Sequence, residues 1–105
     1  MKFISTRGQA PVLDFDDVVL TGLAPDGGLY VPESLPTISE ATLRQWQPLP
    51  YHELAIEVMW PFVDGSIPRE TFVSMVEDAY GSFRHSAIAP TKQLSHDTWL
   101  VELFH

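Results

Sequence analysis

GLAPDGGLYVP, residues 22–32, is the stretch on which the fold turns. Pro25 presets φ, Asp26 can bond its own backbone two residues on, and Gly27 supplies a positive φ. That is a tight turn. Leu29-Tyr30-Val31 follows, apolar and β-branched, and reads as a short strand closed by Pro32. Gly22 stands where a preceding helix would stop in the left-handed conformation. A helix end, a turn and a strand within eleven residues set the scale of the whole chain.

Outward from this stretch the pattern repeats. Residues 2–6 carry Phe3, Ile4 and Thr6 and predict a strand, followed by a loop over 7–11. Asp14 is placed to cap a short helix with Phe15, Val18 and Val19 inward. On the other side, Pro36 and Ser39 introduce a brief helix over 40–46, with Leu43 and either Trp46 or Ala41 inward. The clearest helix is 51–62. Tyr51, Leu54, Ala55, Val58, Met59 and Phe62 form one stripe, Pro61 bends or ends the helix, and Asp64-Gly65 stops it. Pro68 suits the first position of the next helix, with Glu70 near its positive end. Phe72, Val76, Ala79, Tyr80 and Phe83 form its inner face, and Gly81 weakens its last turn. Residues 93–95 and 98–104 flank Ser95-His96-Asp97 as a hairpin. The expectation is an α+β fold: one small sheet of short strands from near both ends, packed with about four helices.

Composition narrows the function. The 105 residues suit a single domain, and 45% apolar content excludes disorder. A net charge of -8 disfavours nucleic acid and anionic membranes as partners, since both need a basic footprint. Without cysteine there is no disulfide, thiolate metal site or thiol catalysis. The first residues have no continuous apolar run, so they are no secretory signal. The richest apolar run, 54–63, is about half a membrane span and holds Glu57 and Pro61. A soluble, cytoplasmic protein is expected.

No complete catalytic set emerges. His52, His85, His96 and His105 are scattered singly, without metal-ligand spacing, and no metal site is expected. Asp14, Asp16 and Asp17 read as helix-start acids; Glu77 and Asp78 fall on an outer face. The aromatics, among them Trp46, Trp60 and Trp99, fall at core periodicities. Ser5, Thr6, Arg7 and Gly8 ("STRG") offer two hydroxyls, a guanidinium fork and an open backbone, which could hold a phosphate or carboxylate. The plainer reading is a strand end and a turn, with Arg7 exposed or paired with an acid. "PDGGLY" could be a phosphate loop, but it runs into a strand, where phosphate loops open a helix. Lys92 is a lone lysine in a loop.

ISTRG at 4–8, GLAPDGGLYVP at 22–32 and LVELFH at 100–105, in this order and spacing, resemble the amino-terminal region of the threonine synthases. The resemblance covers essentially the whole chain. It implies a pyridoxal-phosphate lyase of the tryptophan-synthase-β-like fold type, converting O-phospho-L-homoserine and water to L-threonine and phosphate. The cofactor lysine of that family lies in a segment like GPTLAFKD, expected directly after His105, so Lys92 does not inherit its role. Residues 1–105 are then expected to be a non-catalytic amino-terminal domain, a fragment ending before that segment. No cofactor is expected on the fragment, and its partner is the catalytic part of the same chain. Phe104 and His105 would lead toward the cofactor loop. Ser5, Thr6 and Arg7 match a family motif and are the candidates for anion contact with substrate. The alternatives are a free-standing interaction or ligand-binding module, and a related phospho-amino-acid lyase.

Overall fold

The computed structural model describes residues 1–105. Strand β1 (Phe3–Ser5) pairs antiparallel with β2 (Tyr30–Pro32), Phe3 opposite Pro32 and Ser5 opposite Tyr30. Leu13 bridges to Phe3 by two backbone hydrogen bonds, of 2.9 and 3.1 Å. Phe3 and Ser5 are both buried with Ile4 between them, which is strand alternation.

Helix α1 (Phe15–Thr21) follows. Asp14 stands at its N-cap position, but its carboxylate caps no backbone amide and instead pairs with Lys2 at 2.8 Å. Only the Phe15 end of α1 reaches the core; Val19, expected inward, is 63% exposed. Gly22 ends the helix at φ 73°, positive as expected, with ψ of -103° outside the left-handed helical well.

Helix α2 (Glu40–Trp46) begins where Ser39 accepts a 3.1 Å hydrogen bond from the Thr42 amide. It buries no residue, and Leu43 stays exposed. Helices α3 (Tyr51–Val63) and α4 (Arg69–Gly81) are joined by residues 64–68. Tyr51 meets Tyr80 at 5.3 Å and Trp60 meets Phe72 at 5.9 Å, so the two helices run antiparallel. Ile56, Val63, Phe72 and Val76 form the core between them.

Three expectations change here. Of the expected α3 stripe, Ala55 and Met59 do pack against the core, but its buried centre is Ile56 and Val63, and Tyr51 and Val58 are exposed. That helix is apolar on nearly every side, so periodicity does not select the inner face. Pro61 lies inside α3, which continues two residues past it. Pro68 sits at the N-cap of α4, one position before the first helical turn. Phe72, Val76 and Tyr80 do face inward, while Ala79 and Phe83 are exposed.

Strands β3 (Thr91–Gln93) and β4 (Trp99–Val101) form a hairpin around residues 95–97. Every residue of both strands is exposed, Trp99 included. The α+β class holds, with four helices and four short strands. The strands make two separate pairs, not one shared sheet. No helix is long and apolar enough to cross a membrane.

Candidate functional site

The end of β1 and the turn before β2 lie against each other, because the β1–β2 pairing brings residues 5–7 beside residues 26–29. Asp26 is the centre of this junction. The Ser5 hydroxyl donates to its carboxylate, 2.8 Å from each oxygen, and the backbone N–H groups of Gln9 and Gly28 donate at 3.0 Å. Burial pushes the Asp26 carboxyl up, but hydrogen bonds from Ser5 and from the amides of Gly28, Gln9 and Ala10 outweigh it. The carboxyl is held below its ordinary value of 3.8.

The remaining groups of the loop each have a defined task. Ser5 Oγ also accepts from the Arg7 amide at 3.1 Å, so its single proton and a lone pair are engaged within the fold. Thr6 Oγ1 accepts from the Leu29 amide at 3.0 Å and keeps its own proton to donate. Arg7 Nη1 donates to the Asp26 carbonyl at 3.1 Å. No carboxylate pairs with the guanidinium, which is exposed with its other N–H groups free. The alternative of Arg7 paired with an acid is therefore not what the fold adopts.

The glycines of the turn are demanded by space. Gly27 has φ 80°, and a Cβ there would stand 2.8 Å from Arg7 Nη1. A Cβ on Gly28 would stand 2.5 Å from Ser5 Oγ and 3.0 Å from Thr6 Oγ1. PDGG is thus a tight turn, as its plainer reading has it, and also the bed on which STRG rests. The sequence marks both motifs but not their contact. Asp26, expected only to bond its own backbone, also reaches Ser5 and Gln9.

The other candidates stay apart. His52 and His96 are a helix-start and a turn residue. His105 Nε2 lies 2.8 Å from Glu102, with the His85 ring 4.8 Å from its own. No group of three or more His, Cys, Asp or Glu could hold a metal ion. A Schiff base to pyridoxal phosphate needs an uncharged amine in a pocket. Lys2 is held by Asp14, whose hydrogen bond and charge raise its pKa, and Lys92 is exposed on β3. Neither lysine fits that cofactor.

A family model described as the threonine synthase N terminus matches residues 2–80. The chain is 56% identical over 105 residues to threonine synthase of Pseudomonas aeruginosa, covering all of this chain and 22% of that protein. It is 39% identical over 106 residues to threonine synthase-like 2 of Mus musculus, with the same coverage. Among solved structures, the PLP-bound threonine synthase of Brucella melitensis superposes with a TM-score of 0.92 at 47% identity. That match covers all of this chain and 23% of the other. The chain spans about a fifth of the length of the curated relatives it matches.

Proposed function

The chain belongs to the threonine synthase N-terminus family, and on that premise we propose that residues 1–105 are the amino-terminal, non-catalytic domain of a threonine synthase. The intact enzyme converts O-phospho-L-homoserine and water to L-threonine and phosphate with pyridoxal phosphate, in the cytoplasm. The observation that carries this reading is similarity along the entire chain to enzymes of that name, in sequence and in fold together. Two groups of the loop suit an anion: the Arg7 guanidinium is exposed, and Thr6 Oγ1 keeps a proton to donate.

In this reading Ser5, Thr6 and Arg7 form an anion contact for the substrate phosphate. Arg7 supplies the charge, Thr6 a hydroxyl donor, and Ser5 fixes the loop that carries them. The partner of the domain is the catalytic remainder of the same polypeptide, and nucleic acid and membrane play no part. A second reading is a related lyase acting on another phospho-amino acid; the chain also matches threonine synthase-like 2 along all of its own residues and 22% of that protein.

The test has two halves. The 105-residue chain, incubated with pyridoxal phosphate and dialysed, should retain no Schiff-base absorbance; a retained band would refute the non-catalytic assignment. The full-length protein should release phosphate from O-phospho-L-homoserine and form threonine. Phosphate release from a different phospho-amino acid alone would favour the second reading, and no turnover of either would defeat both.

A further inference from the structure

We infer that Asp26 is a positioning residue for Arg7, holding the guanidinium in place for an anion without neutralising it. The inference rests on the anion-contact reading of residues 5–7. Three features of the junction carry it.

The first is how Asp26 is used. Its carboxylate makes no ion pair with the guanidinium and is held by other donors: the Ser5 hydroxyl and the amides of Gln9 and Gly28. These donors offset a negative charge that would otherwise repel a phosphate. The second is what Arg7 touches. It binds the backbone carbonyl of Asp26 at 3.1 Å, and no carboxylate shares it. A carbonyl orients a guanidinium but leaves its full charge for an incoming anion. The third is the closeness of fit. A Cβ on Gly27 would stand 2.8 Å from Nη1, so the Arg7 side chain lies directly over the turn that Asp26 shapes. The carboxylate thus grips both ends of the strand-end loop, at Ser5 and at Gln9, and Arg7 is caught between the two gripped points.

Steady-state kinetics of the full-length enzyme on O-phospho-L-homoserine tests this, using wild type, Arg7→Ala, Asp26→Asn and the double variant. Losing the charge-assisted contact in Arg7→Ala should raise KM about tenfold with kcat within about twofold. Asp26→Asn should raise KM about three- to tenfold, again with little change in kcat. Because Asp26 acts through Arg7, the double variant should be no worse than Arg7→Ala alone. An unchanged KM in Arg7→Ala overturns the anion reading and this inference with it. A raised KM in Arg7→Ala beside an unchanged KM in Asp26→Asn overturns the positioning role alone. So does a double variant in which the two effects multiply, since a merely structural Asp26 would weaken both backgrounds equally. If Asp26→Asn does not accumulate as folded enzyme, Ser5→Ala takes its place. It removes the hydroxyl that ties the carboxylate to β1, and the same two criteria apply.

Discussion

Gly28 is surrounded by the oxygens of three residues that come from two distant parts of the chain. Its hydrogen points at Ser5 Oγ, Thr6 Oγ1 and an Asp26 oxygen, the farthest 3.0 Å from where a Cβ would stand. Gly28→Ala should therefore lower stability by about 1–3 kcal/mol, read from urea unfolding, because the β1 loop must move to admit a methyl group. A stability within error of wild type would mean that the junction is looser than described. Acid sensitivity has its origin at the same scale. The Asp26 carboxyl is held below its ordinary 3.8 although burial opposes it, because Ser5 and backbone amides donate to it. Asp97 is held below 3.8 as well, by the hydroxyls of Ser95 and Thr98. A carboxylate that ionises more readily folded than unfolded contributes stability that is complete above the unfolded pKa. That contribution drains away as pH falls through the folded one. Below about pH 5, and on through the region under 3.8, the chain should lose stability, and Asp26→Asn should flatten that decline. An equally steep decline in the variant would place the acid sensitivity elsewhere.

Among the elements, α2 and α3 respond to substitution in opposite ways. Ser39 caps α2, but the helix buries nothing, so Ser39→Ala should fray it locally. Hydrogen exchange should quicken about fivefold for α2 amides and stay unchanged in α3 and α4. In α3, Ile56 is 5% exposed inside the core, whereas Val58 is 40% exposed. Ile56→Ala should cost about 2–5 kcal/mol in denaturant unfolding, and Val58→Ala less than about 1 kcal/mol. Equal costs would return Val58 to the core. These two helices also show what could be read in advance. The start of α2 follows from Pro36 and Ser39 ahead of it, and the helix begins and ends where expected. The start of α3 at Tyr51 is equally legible. Its inner face is not, because the choice between Val58 and Ile56 is made by Phe72 and Val76, a helix away. The same holds for the site. STRG and PDGG are each visible as local chemistry, but the Asp26–Ser5 contact spans 21 residues and depends on strand register. Trp99 fails for another reason: apolar character marks a residue for burial without naming the surface that buries it.

For the whole molecule, that missing surface is the main fact. Only 8 of 105 residues are buried, and the radius of gyration is 16.4 Å, against about 13 Å for a compact chain of this length. A groove of about 530 Å³ between α2 and α3 is lined by Ile38, Leu43, Trp46, Leu54 and Val58. The hairpin adds Trp99, Leu100, Leu103 and Phe104, all exposed. Patches of this kind on a separate body predict association. The isolated 105-residue chain should bind a hydrophobic dye or elute larger than a monomer, and both signs should vanish in the full-length protein. A dye-silent monomer would argue for a free-standing module instead. The separateness of the two strand pairs has a consequence in time. Residues 3–32 close on themselves through β1 and β2, residues 51–81 through α3 and α4, and residues 91–101 through the hairpin. Each unit finds its partner within about 30 residues of its own chain, so each can form in the order in which a ribosome delivers it. The Asp26 junction is then finished early, and the exposed apolar hairpin is made after it.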